Sequence, residues 1–100
     1  MPPIYGQTYM FTRGLYDAAG GGRFRVNPTI AVGDFKIAQD NGALANLTTL
    51  PVVTPAGSAL VLVTLTAAEM TASRVTILAV DQAGNEWTEM MEQVEPLSGA

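Results

Sequence analysis

Turn-forming residues recur along this chain at strand-length intervals, and that spacing restricts it to a fold of short strands. The signals fall at Gly20-Gly21-Gly22, Asn27-Pro28, Asp40-Asn41-Gly42, Pro55-Ala56-Gly57 and Gln82-Ala83-Gly84-Asn85. Between them lie runs rich in β-branched and aromatic residues, the pattern of an antiparallel sandwich or small barrel. From Thr8 to Leu15, Thr8, Met10 and Thr12 alternate with Tyr9, Phe11 and Arg13. Phe24-Arg25-Val26 either pairs back onto that run or lies at an edge. In Asp34 to Gln39, Phe35 and Ile37 are expected inside, with Asp34, Lys36 and Gln39 outside or at the end. Asn41-Gly42 offers the positive φ values of a type I′ hairpin turn, with Ala43 to Leu47 as the return strand.

Ala59 to Thr66 is apolar on both faces for most of its length. One face packs on the core, and the other needs a second cover from this chain or a neighbour. Thr66-Ala67-Ala68-Glu69 fits a capping box, with Thr at the N-cap and Glu three residues on. The helical turn it opens, near residues 67–71, is expected to stop by Ser73. A strand follows from Arg74 to Val80. The closing segment is ambiguous: Trp87, Met90, Met91 and Val94 form a helical stripe, yet Glu86 to Val94 also reads as the closing strand of a hairpin. A helix of about nine residues is marginal unless packed, which favours the strand. Pro96 ends either element. The chain reads as one domain over residues 1–100, with a possible N-terminal arm over 1–23 and a loose tail over 97–100.

Chemistry is limited by what is absent. There is no Cys and no His, which removes thiol nucleophiles, disulfides, imidazole bases, the Ser-His-Asp triad and the common zinc sites. Charged residues are 14% of the chain, against about 25% in an average soluble domain. The surface is therefore covered by small polar residues or by another protein. A net charge of −4 argues against a general nucleic-acid binder. The longest apolar run, Ala59 to Val63, is far short of the roughly 20 residues of a membrane span. Met1 to Gln7 lacks the basic and apolar regions of a signal peptide.

The remaining candidates have plain structural readings. Asp81, Glu86, Glu89, Glu92 and Glu95 follow the last basic residue, Arg74. They are read as solvated charges that discourage edge pairing rather than as a cation site or a glycosidase pair. Asp40-Asn41-Gly42 lacks the Glu that closes a calcium loop, since its twelfth position is Pro51. Gly20-Gly21-Gly22-Arg23 lacks a phosphate-loop ending. Arg13, Arg23 and Arg25 with Phe24 are read as paired with acids on a neighbour, or solvated, rather than as a nucleic-acid patch. Trp87 is most simply core, with an interface place as the alternative. No catalytic residue, metal or cofactor is assigned.

Several motifs occur in a familiar order. They are Gly33-Asp34-Phe35-Lys36-Ile37, then Asp40-Asn41-Gly42-Ala43 through Asn46-Leu47-Thr48-Thr49-Leu50-Pro51, then Leu65-Thr66-Ala67-Ala68-Glu69-Met70, Val75-Thr76-Ile77 and Asp81 to Trp87. This set, over about residues 28 to 94, resembles a group of small phage and prophage virion structural proteins. The chain departs from it at Asp40-Asn41-Gly42, where the group often has Asp-Gly-Gly. The resemblance implies an all-β fold: an immunoglobulin-like antiparallel β-sandwich of about seven strands, with the last segment a strand.

It also implies a non-enzymatic virion subunit that joins tail or fibre components. A capsid decoration protein and a host-surface glycan-binding module are the alternatives. Expected partners are other virion proteins and further copies of this chain, with no nucleic acid, membrane or small-molecule ligand. The expected location is the virion, after synthesis in the host bacterial cytoplasm. The interface candidates are Tyr5, Tyr9, Phe11, Leu60, Leu62 and Trp87. The segment before the Tyr9–Leu15 strand is expected to pack on a neighbouring subunit.

Overall fold

The computed structural model describes residues 3–82, 84 and 86–97. Seven strands are divided between two sheets: β1 (Tyr9–Arg13), β2 (Phe35–Gln39), β3 (Ala45–Asn46), β4 (Val52–Val53), β5 (Val61–Leu65), β6 (Val75–Ala79) and β7 (Met90–Val94). One sheet has the order β1-β5-β4 and the other β3-β2-β6-β7, with every pairing antiparallel. These orders match strands B-E-D and C′-C-F-G of an immunoglobulin-type sandwich. The closing segment is a strand, paired with β6 from Val75↔Val94 to Ala79↔Met90.

Alternation places the core. Val61, Val63 and Leu65 of β5 point inward and are fully buried, as are Val75, Ile77 and Ala79 of β6. Phe35 and Ile37 of β2 join them, and Leu15, Met70 and Trp87 fill the ends. Each of the larger side chains contributes about 1.5–3 kcal/mol by leaving water. β4 escapes local pattern reading, because a two-residue strand has no period of its own. It exists because β5 offers it a partner, with Val52 opposite Leu62 and Val53 opposite Val61.

The helical turn forms where the capping box places it. Thr66 N donates to Glu69 Oε1 at 2.8 Å, and Glu69 N donates to Thr66 Oγ1 at 3.2 Å. A bond from Met70 N to Thr66 O closes one turn, and the chain then leaves for β6. The tight turn after β2 lies one residue earlier than Asn41-Gly42. Asp40 and Asn41 carry φ values of 52° and 61°, and Gly42 N donates to Gln39 O at 2.9 Å. Asp40 accepts this left-handed place because its carboxylate gains two donors there, the backbone N–H groups of Ser73 and Arg74, both at 3.0 Å.

Phe24 pairs back as one of the two expected options. Tyr16 and Phe24 form an antiparallel bridge and their rings stack at 5.1 Å, closing a hairpin over Gly20 to Gly22. Gly14 lies beneath that stack, where an added Cβ would sit 2.5 Å from the Phe24 ring.

Two expectations need correction. Asp34 is 3% exposed rather than outside, because it accepts N–H bonds from Ala31 and Gln82 at the mouth of β2. The N-terminal segment is tied to its own domain, and this bears on the expected loose tail. Tyr5 N donates to Leu97 O, Leu97 N to Pro3 O, and Gly6 N to Met70 O, at 2.8–3.1 Å. Leu97 is thereby held within the domain rather than loose, while residues 98–100 of the expected tail lie outside those described. Deleting residues 1–7 is therefore expected to lower the unfolding free energy by about 1–3 kcal/mol, since water replaces part of each lost bond. Urea unfolding measures this directly. An unchanged midpoint would show that the segment contributes nothing to the isolated domain.

Candidate interaction face

Because Val61, Val63 and Leu65 enter the core, Leu60, Leu62 and Thr64 must face the other way. Cross-strand pairing adds Met10 beside Thr64, and Thr12 and Val52 beside Leu62. The outer surface of the β1-β5-β4 sheet thus presents six residues, none of them charged. Met10 is 55%, Val52 52% and Leu60 48% exposed, while Leu62 is half-buried. Three large apolar groups stand in water on one sheet face. Single exposed apolar residues are ordinary, whereas several together on one uncharged face make a candidate contact surface.

The sequence candidates divide between places. Leu60 and Leu62 share this face. Tyr9 and Phe11 lie on the opposite side of β1, half-buried against the core and stacked on each other at 5.8 Å. Tyr5 is 47% exposed, and its backbone is tied to Leu97. Trp87, at 3% exposure, takes its core place and not the interface one, packed against Phe35 with Nε1 3.4 Å from Thr29 O. Met10 and Val52 belong to the face but were not singled out in sequence. Met10 was legible, since alternation sets it opposite to Tyr9 and Phe11. Val52 was not, because its orientation follows from pairing with β5.

A second feature is a groove of about 310 Å³ between β1 and β7. Tyr9, Phe11, Arg13, Glu92, Val94 and Glu95 are among its lining residues, and Pro3 is another. Arg13 Nη1 crosses it to Glu92 Oε2 at 2.6 Å, joining the edge strands of the two sheets. With Arg13 and Glu92 partly in water, this pair contributes at most about 1 kcal/mol.

The carboxylates mostly staple loops. Glu69 accepts Thr48 N at 2.9 Å besides its capping bond, linking the segment before β4 to the turn after β5. Asp81 accepts Gly84 N and Glu86 N, and Glu86 accepts Thr29 N at 2.9 Å. Of the five acids read as solvated edge charges, Asp81 and Glu86 thus hold loops and Glu92 pairs with Arg13. Arg25 lies 3.9 Å from both Asp17 and Glu86, so its partners are in its own chain rather than on a neighbour. Among the described residues no group of three or more acids is placed to hold a metal ion. Aromatic rings, which a glycan-binding module would present to a sugar, pair off separately here: Tyr9 stacks on Phe11, Tyr16 on Phe24 and Trp87 against Phe35.

Chemically, the arrangement offers apolar contact and open strand edges. No protein-family model, curated protein or solved structure matches the chain.

Proposed function

We propose that this chain is a non-enzymatic structural subunit of a bacteriophage virion, joining tail or fibre components through the outer face of its three-stranded sheet. The observation that carries this reading is the uncharged face of Met10, Thr12, Val52, Leu60, Leu62 and Thr64 on a chain otherwise stapled together internally. Covering its apolar groups gains free energy, and a neighbouring subunit is the simplest cover. The phage setting rests on the motif resemblance. Its shared positions include Asp34, Asp40, Glu69 and Trp87, each of which holds a loop or fills the core. The likeness therefore lies in residues that determine the fold. Partners are other virion proteins and further copies of the chain, and the location is the virion.

Particles purified by density gradient from a strain carrying the gene provide the test. Peptides of this chain should sediment with intact particles at a constant ratio to the major virion proteins. They should remain after a high-salt wash, because salt screens ion pairs and leaves apolar contacts in place. Recovery of the chain only from the soluble lysate would reject the proposal.

A further inference from the structure

Four strand edges end the two sheets, and they are not equivalent. β3 and β4 are two residues long, too short to template another strand. β1 and β7 are five residues each; the chain beyond their ends is bridged at Asp17–Trp87 and Ile4–Leu97 and Arg13 bonds Glu92, but among the described residues no strand pairs with the outer edge of either. The open side of β1 is where strand A lies beside B in the full immunoglobulin-type sheet. The segment preceding β1 is tied instead to Leu97 and Met70.

Charge separates the two long edges. β7 has Glu92 at its centre, with Glu89 and Glu95 flanking it. Pairing β7 antiparallel with its own copy would set Glu92 against Glu92, and like charges directly opposite are destabilising. β1 reads Tyr-Met-Phe-Thr-Arg. Paired antiparallel with itself about Phe11, it sets Phe11 against Phe11, Met10 against Thr12 and Tyr9 against Arg13. No like charges meet, and Arg13, while still paired with Glu92 of its own chain, stands beside the Tyr9 ring of the other copy.

We propose that β1 is the docking edge for a second copy of this chain, pairing antiparallel about Phe11. The two three-stranded sheets then form one six-stranded sheet, β4-β5-β1-β1-β5-β4. Its outer surface carries both uncharged faces side by side, with Met10 and Thr12 of each copy at the seam. This deepens the assembly reading by naming a partner, and it rests on that reading only for its biological setting. A five-residue edge buries little area, so a dissociation constant between about 1 µM and 1 mM is expected. Each copy carries a net charge of −4, so salt screens their repulsion and strengthens the dimer. Salt would weaken a contact made by Arg13 of one copy on the β7 glutamates of another.

The experiment uses the full chain, which has no cysteine of its own. Sedimentation at rising concentration should approach twice the 10.5 kDa monomer mass, with tighter association at higher salt. Met10→Cys and Thr12→Cys chains, both altered at exposed positions, are oxidised separately and as a mixture. Directly opposed residues bring their Cα atoms within disulfide reach. The mixture should therefore give several-fold more covalent dimer than either chain alone. Met91→Cys mixed with Gln93→Cys reports the equivalent pairing of β7 and should show no such gain. A monomer at every concentration, equal yields with and without mixing, or cross-linking through β7 would each overturn the proposal. A monomeric chain found in particles would reject this contact and leave the virion reading standing.

Discussion

Replacing Trp87 with alanine is expected to lower the unfolding free energy by about 3–5 kcal/mol, the largest effect of any single substitution considered for this chain. The ring is 3% exposed and packs against Phe35, with ring centroids 5.8 Å apart at 45°. Removing it opens a cavity against a core that relaxes only in part, and it leaves the Thr29 carbonyl without the Nε1 donor. Set against a typical total of about 5–15 kcal/mol, such a loss brings a small domain close to unfolding. Trp87→Phe keeps most of the buried ring and should cost about 1–2 kcal/mol. Circular dichroism in urea follows both variants. In the unaltered protein this sole tryptophan should emit as a buried indole and shift to the red as the chain unfolds. If Trp87→Ala unfolds at the wild-type midpoint and alters only self-association, the residue belongs to an interface and its core assignment is wrong.

Much of the sandwich was legible because alternation along a strand depends only on neighbouring residues. Phe35 and Ile37, or Val61, Val63 and Leu65, declare a face without knowledge of the partner strand. The capping box at Thr66 and Glu69 was legible for the same reason, its two partners lying three residues apart. What escaped was set by distant parts of the chain. Parity alone sends Asp34 to the solvent side, but the loop at Gln82 brings an N–H to it and makes burial affordable. Asn-Gly is the stronger local turn signal, yet the turn sits on Asp40-Asn41, where the carboxylate can reach Ser73 and Arg74. The bond between Tyr5 and Leu97 joins opposite ends of the chain, and no local pattern announces it. For the candidate face, the two-sided apolar run at Leu60 and Leu62 pointed to an uncovered surface. Its neighbour Val52 waited on the pairing of β4 with β5.

Those distant contacts are carried largely by carboxylates, so removing one should cost more than its exposed neighbours suggest. Glu69→Ala is expected to lower the unfolding free energy by about 2–4 kcal/mol. Glu69 is 7% exposed, and its two oxygens accept Thr66 N at 2.8 Å and Thr48 N at 2.9 Å. The first bond belongs to the capping box, which by itself contributes about 1 kcal/mol. The second pins the segment leading into β4, whose two residues have only β5 for a partner. Loss of the carboxylate leaves both N–H groups partly buried without an acceptor, at about 1–3 kcal/mol each before any water enters. Thr66→Ala is the control, since it removes only the acceptor for Glu69 N and should cost about 1 kcal/mol. The double variant should cost less than the sum of the singles, as the two side chains share one capping box. Amide hydrogen exchange separates the two bonds. In Glu69→Ala, protection should fall at Thr48 and Val53 as well as at Thr66, whereas Thr66→Ala should affect the turn alone. If Glu69→Ala costs no more than Thr66→Ala and leaves Thr48 protected, the glutamate is only a cap, and β4 is held by β5 without it.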